Sequence, residues 1–187
     1  MIDFREIKTG DVDEVMSLYS KYLNSGDAIS RSIEKAWKNG EYMGYVAEAD
    51  GKIAGIFTMR EGIAFTYPHP DIEKELAVVT KGKKVAYCDA LLVLPEYREH
   101  GTGDALAEKS AALLKARGYD CMMAEIWIYP DGRAPAKPVF EIMGKPTYVK
   151  RVDGFYKDLE KYEMSCPVCG KHCVCGAWVE IIELQEA

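Results

Sequence analysis

The stretch Val93-Leu94-Pro95-Glu96-Tyr97-Arg98-Glu99-His100-Gly101-Thr102-Gly103 decides the reading of this chain. It follows a long apolar run, Val85 to Leu94, and precedes a strongly helical segment, Asp104 to Arg117. A buried strand therefore passes into a helix through a turn rich in charge and glycine. Gly101 and Gly103 permit positive φ and remove side chains that would keep a ligand from the backbone. Successive N–H groups at the helix start would then face one point, reinforced by the helix dipole. That is chemistry for a phosphate or pyrophosphate, although two glycines can equally shape an ordinary strand-to-helix turn. The third glycine of a dinucleotide fingerprint is missing, and no Gly-Lys-Ser/Thr of a P-loop follows.

Outward from this turn, the pattern is mixed. Met1 to Ile7 alternates like a strand, and Val12, Val15, Met16, Tyr19 and Leu23 follow at helical spacing. Asn24-Ser25-Gly26-Asp27 separates that helix from a second one, carried by Ile29, Ile33, Ala36 and Trp37. Asp50-Gly51 joins two strand-like runs, Tyr42 to Ala49 and Lys52 to Arg60, as a hairpin. Thr66 to Lys84 has room for a helix from Asp71 to Val79. Beyond the central helix come a strand, Cys121 to Tyr129, a proline-rich loop, Pro130 to Pro138, and a short helix, Val139 to Met143. Strands interrupted by cysteines occupy Thr147 to Leu184. The expected fold is α/β, in the α+β sense: a central, mixed but mostly antiparallel twisted sheet flanked by helices.

The stretch from Val93 to Gly103 resembles motif A of the GCN5-related N-acetyltransferases. That family carries Arg/Gln-x-x-Gly-x-Gly/Ala after a strand ending in Val-x-Pro, and Arg98 to Gly103 fits each defined position. The element order fits as well, over roughly residues 2–160. The resemblance implies that acetyl-CoA or another acyl-CoA is the cosubstrate. Its pyrophosphate would lie on the amides of Gly101, Thr102 and Gly103, with Arg98, His100 and Asp104 at the edges. The pantetheine arm would pair with backbone near Leu92, Val93 and Leu94 like an added strand. The implied activity is transfer of an acetyl group to a primary amine, carried by a small molecule or a protein. The competing reading is a non-catalytic acyl-CoA-binding or sensor protein.

Acyl transfer needs a neutral amine, a stabilised oxyanion and a proton for the thiolate. Asp89 is a carboxylate in an otherwise apolar strand, where alternation puts it with Tyr87, Leu91 and Val93 on one side. Glu125 lies with Trp127 and Tyr129 on one side of its strand, opposite the apolar Met122, Ala124, Ile126 and Ile128. Asp89 and Glu125 are the candidate bases; a strand-end salt bridge and an ordinary sheet-face glutamate are the plain alternatives. The family's proton-donating tyrosine aligns with Phe140, which has no proton to give. Tyr148, Tyr156 or Tyr129 must then substitute, unless water protonates the thiolate.

Cys166, Cys169, Cys173 and Cys175 lie within ten residues near the C-terminus, whereas Cys88 and Cys121 sit singly in apolar runs. Cys166-Pro167-Val168-Cys169-Gly170 resembles a zinc knuckle, and Cys173-Val174-Cys175 supplies a second, shorter pair. Four thiolates suit structural zinc, with redox-active or free thiols as the alternative. The expected division is an acyltransferase-like domain over residues 1–162 and a metal-stapled hairpin extension over residues 163–187.

Composition bounds the rest. The chain has 187 residues, 48% hydrophobic and 29% charged, and a net charge of −6. Such a chain holds one sizeable core and is not intrinsically disordered. No apolar run approaches the roughly 20 residues that span a bilayer. Its acidic balance argues against nucleic acid as a partner. The N-terminus lacks a signal-peptide apolar run, so the expected compartment is the cytoplasm. Dimers are common in the family, which leaves a homodimer open.

Overall fold

The structure, a computed structural model, describes residues 2–23 and 25–184; Met1, Asn24 and the last three residues lie outside it. Seven strands form one sheet: β1 (Ile2–Glu6), β2 (Met43–Ala49), β3 (Lys52–Glu61), β4 (Val85–Val93), β5 (Cys121–Ile128), β6 (Gly144–Val152) and β7 (Gly176–Leu184). Their order is β1-β2-β3-β4-β5-β7-β6. Every neighbouring pair is antiparallel except β4 with β5. The helices are α1 (Val12–Tyr22), α2 (Asp27–Lys38), α3 (Pro70–Val79), α4 (Thr102–Ala116) and α5 (Lys137–Glu141). This is the mixed, mostly antiparallel sheet expected. No helix among the described residues is long and apolar enough to cross a membrane.

β4 is apolar at almost every position because both of its faces are covered. On one face α4 packs Leu106, Ala107, Ala111 and Leu114 against Phe57, Met59, Ala86, Met122 and Ile126. The opposite face is divided. Helices α1 and α2 cover Val46, Ile56, Ala90 and Leu92, whereas α3 and the cysteine segment cover Val85, Tyr87, Met123, Val179 and Ile181. The Asp50-Gly51 hairpin forms as its dipeptide implies, with φ of 51° and 75° at the two turn residues.

The C-terminal segment departs from expectation. The expected metal-stapled hairpin extension spans residues 163–187, of which the last three lie outside the described residues. Leu159–Tyr162 is a turn of 3-10 helix. β7 instead inserts between β5 and β6, pairing Cys121 through Ile128 on one side and Gly144 through Val152 on the other. Its apolar sequence, Ala177, Val179, Ile181 and Ile182, is almost fully buried because the strand is interior to the sheet. The cysteine loop is therefore an excursion within the sheet's connectivity, and the strand after it belongs to the core.

The short helix α5 packs Phe140 into the core and is tied to β7 by an ion pair. Lys137 reaches the carboxylate of Glu180, whose side chain is only 2% exposed, and its ammonium also lies 4.9 Å above the Trp178 ring. Removing the cation leaves a buried carboxylate uncompensated. Lys137→Ala should therefore lower the unfolding free energy in urea by about 3 kcal/mol.

Candidate active site

The site follows from where β4 and β5 stop pairing. Their parallel register runs from Val85↔Cys121 to Cys88↔Ala124 and ends there. Beyond that point β4 stays with β3 as far as Val93, and β5 stays with β7 as far as Ile128. The strands diverge, and a cavity of about 920 Å³ opens between them. Asp89 and Glu125 are the first residues past the last pair, and both line it.

The divergence coincides with a bulge. Thr58 pairs with Ala90 and Met59 with Cys88, leaving Asp89 as the extra residue of β4. The bulge reverses the alternation expected for this strand. Leu91 and Val93 fall on the face of Ala86 and Cys88, beneath α4, whereas Tyr87 lies on the opposite face. Strict period-2 reading placed Tyr87 and Asp89 with Leu91 and Val93; one inserted residue undoes it.

The bulge also settles what Asp89 touches. Its Oδ1 accepts from the Arg60 guanidinium at 2.7 Å, and its Oδ2 accepts from the Tyr19 hydroxyl at 2.6 Å and the Tyr42 hydroxyl at 3.1 Å. The side chain is 7% exposed. Both oxygens are thus committed to three donors that tie α1, the residue before β2, and β3 to the bulge. Burial, and then the neighbouring Asp89 charge, hold the Tyr19 phenol well above its ordinary pKa, so it stays a donor.

Glu125 is arranged differently. Its carboxylate accepts from the Thr66 hydroxyl at 2.6 Å and the Thr66 amide at 3.1 Å, and no cation is paired with it among the described residues. Burial raises its pKa, against the opposing effect of the Thr66 hydroxyl and the nearby Tyr156 hydroxyl. Tyr156 is 3% exposed and also lines the cavity; burial and the Glu125 charge keep its phenol protonated far above the ordinary range. Phe65, Trp127 and Tyr129 complete an aromatic wall around this carboxylate.

Tyr148, the third expected catalytic residue, is elsewhere. It stands on β6, does not line the cavity, and donates to Glu75 of α3 at 2.6 Å. The interposed β7 removes β6 from the cleft, a separation that local sequence does not reveal. Phe140 lines the cavity from α5 and packs edge-on to Phe57 with centroids 5.8 Å apart.

The turn after β4 forms a cradle of amides. Glu99 and Gly101 both take left-handed conformations, with φ of 61° and 72°. Successive N–H groups therefore turn toward one side. No hydrogen bond among the described residues takes up the amides of Glu99, His100 or Gly101. Helix α4 starts at Thr102, two residues earlier than expected, so the amides of Thr102, Gly103 and Asp104 form its unpaired first turn. Gly101, Thr102, Gly103, Asp104 and Arg98 line the cavity, whereas His100 is exposed outside it. A Cβ on Gly103 would meet nothing nearer than 3.6 Å, so this glycine is not required by packing. Arg98 folds back to donate to the Val93 carbonyl at 2.8 Å.

The backbone along β4 sorts the expected pantetheine contacts. The Leu94 amide donates to the Ala54 carbonyl at 2.9 Å, which makes 94↔54 and 92↔56 the hydrogen-bonded pairs with β3. Leu92 and Leu94 therefore spend their backbone groups inside the sheet. Val93 and Leu91 turn theirs toward the cleft. Leu91 was missed because the offset depends on register.

Behind the aromatic wall lie the four cysteines. Their sulfurs are all within 4.8 Å of one another, with Cys166–Cys175 at 4.0 Å and Cys169–Cys175 at 3.5 Å. No disulfide joins them. A tetrahedral ion with metal–sulfur bonds of about 2.3 Å requires sulfur separations of about 3.8 Å, so the group fits one metal ion. Backbone N–H groups of Val168 and Cys169 point at the Cys166 sulfur, each at 3.4 Å, as does the Cys175 N–H at Cys173. Burial pushes the Cys175 thiol up to about 12, and the Trp127 indole N–H opposes that shift. His172 is 92% exposed and lies 3.8 Å from Glu160, outside the cluster.

Known proteins share this architecture. Arabidopsis thaliana NAA60 in complex with acetyl-CoA is similar at a TM-score of 0.67 and 16% identity, over 98% of each chain. The ribosomal-protein-S18-alanine N-acetyltransferase from Escherichia coli is similar at 0.62 and 16%, over 100% of this chain and 96% of that one. A mosquito arylalkylamine N-acetyltransferase like 5b gives 0.61 and 17%, over 97% and 100%. No curated protein matches the sequence. At such identities the likeness is one of fold, but the sequence itself matches the acetyltransferase (GNAT) family over residues 12–144. The chain that builds the splayed strands and the amide cradle at α4 thus belongs to the acetyltransferase (GNAT) family.

Proposed function

We propose that the protein is an acyl-CoA-dependent N-acyltransferase that transfers an acetyl group directly to a primary amine. The observation that carries this reading is the continuity of the cavity. It runs from unpaired amides at α4, along the β4 edge at Leu91 and the Val93 amide that no strand covers, to the Glu125 carboxylate, which has no cation partner among the described residues. The first part suits a pyrophosphate, the second an extended amide-bearing arm, and the third an amine.

Glu125 is the base in this reading. The amine nitrogen passes a proton to Glu125, directly or through water, as its lone pair attacks the thioester carbonyl carbon. The C–N bond forms, the C–S bond breaks, and the departing thiolate takes a proton from Tyr156. That phenol is buried, protonated and beside Glu125, so it replaces the hydroxyl that Phe140 lacks. Asp89 positions these groups by fixing the bulge instead of abstracting the proton, because three donors already hold its carboxylate. The four thiolates hold a structural zinc ion.

A second reading, a non-catalytic acyl-CoA binder, is favoured by Phe140 alone. Thiol release measured with acetyl-CoA across an amine panel separates the two: turnover on at least one amine supports the enzyme. Tight binding without turnover on any supports the binder.

Gly103→Glu places a carboxylate in the phosphate cradle at a position with space for a side chain. Calorimetry should detect no acetyl-CoA binding to this variant, with its thermal unfolding unchanged. Retained affinity would show that the cradle is misassigned.

Because burial raises Glu125, the base is protonated, and the enzyme inactive, at pH values where an ordinary glutamate at 4.5 is already ionised. The acid limb of the kcat profile should therefore lie above that value. Glu125→Gln should abolish the limb and lower kcat by about 10²-fold or more.

A further inference from the structure

We propose that the metal centre formed by Cys166, Cys169, Cys173 and Cys175 is a positioning element of the amine-binding half of the cleft, acting through Trp127, Tyr156 and the α1–α2 connection. The inference rests on the acyltransferase reading, which makes that half the acceptor side.

Three contacts converge on the cysteine loop. Trp127 lines the cavity from β5, its indole nitrogen is buried with no hydrogen-bond partner among the described residues, and it packs against the apolar cluster that holds Cys175. The Tyr156 amide donates to the Cys175 carbonyl at 3.3 Å, and its ring lies against Trp127 with centroids 5.8 Å apart. Ser165, next to the first ligand, exchanges two backbone hydrogen bonds with Ser25, at 2.9 and 3.1 Å. Ser25 belongs to the connection between α1 and α2, whose flanks Tyr22, Leu23 and Ile29 line the cavity. Contact there is close: a Cβ on Gly26 would sit 2.4 Å from the Glu163 carbonyl oxygen.

The amide cradle shares none of this. Among the described residues, no hydrogen bond joins residues 98–104 to the cysteine loop. A closed thiolate site stabilises the loop that encloses it. Here the loop is stitched to both walls that face an acceptor and to neither side of the phosphate cradle. Loss of the ion should loosen those walls and leave acyl-CoA binding intact. A hairpin staple alone would have no such directed effect.

Hydrogen–deuterium exchange on the full chain tests this, comparing zinc-loaded protein with protein stripped by a chelator under reducing conditions. The expected result is exchange at least about tenfold faster in peptides covering residues 22–33, 121–129 and 154–157. Peptides covering 98–106 should be unchanged, and acetyl-CoA affinity by calorimetry should stay within about twofold. Faster exchange confined to residues 163–176 would overturn the proposal, as would loss of protection throughout the chain. Protein that neither contains nor takes up zinc would overturn the metal assignment itself. Zinc-loaded protein that fails to bind acetyl-CoA would overturn the acyltransferase reading instead.

A second measurement needs no metal-free protein. In cobalt-substituted protein, Trp127→Phe removes the buried N–H that packs beside the cysteine cluster while keeping an aromatic wall. A shift of the thiolate-to-cobalt charge-transfer band is expected. An unmoved band would show that Trp127 packs beside the centre without being linked to it.

Discussion

The separation of β4 from β5 after Cys88 and Ala124 is the constraint on which the rest depends. Two parallel strands that part company inside a domain leave a row of backbone groups without partners, each costing about 1–3 kcal/mol if buried and unsatisfied. The structure tolerates this because the gap opens to solvent and because each strand remains paired on its far side. What keeps the gap from closing is the bulge at Asp89. Its carboxylate is locked by Arg60, Tyr19 and Tyr42, so the extra residue cannot be absorbed by sliding the register. The β4 edge at Leu91 and the Val93 amide is thus held ready for a ligand that supplies the missing strand.

The two carboxylates flanking the apex illustrate how environment assigns roles. Asp89 meets a guanidinium and two phenols, so its charge is compensated and its lone pairs are occupied. Glu125 meets a threonine and a tyrosine but no cation among the described residues, and burial favours its protonated form. A group whose charged state is penalised has reason to exchange a proton. A group embedded in an ion pair has reason to stay as it is.

The cysteine segment shows a different economy of structure. Its loop is too short to bury a core, yet Met164, Cys166, Cys173 and Cys175 join one apolar cluster with Tyr87, Met123 and Val179. The thiolates would therefore be both metal ligands and the lining of the sheet beneath the aromatic wall. That dual placement ties the order of the loop to the order of the site.

Much of this was legible from residues alone, because it rests on local interactions. Gly101 marked a left-handed turn, Asp50-Gly51 a hairpin, and the segment from Asp104 to Arg117 a helix, each from local residues. The spacing of Cys166 to Cys175 likewise announced a cluster, since nearby thiols in one loop need no long-range fold to meet. What pairing at a distance controls was decided only in three dimensions. The bulge that moves Leu91 and Val93 to the α4 face depends on how β4 registers with β3, thirty-odd residues away in sequence. The insertion of β7 takes Tyr148 out of the cleft, and the turn before the cysteine loop brings Tyr156 into it. Local chemistry named the elements and the phosphate cradle; register, which no single segment encodes, chose which carboxylate, which tyrosine and which backbone edge face the cavity.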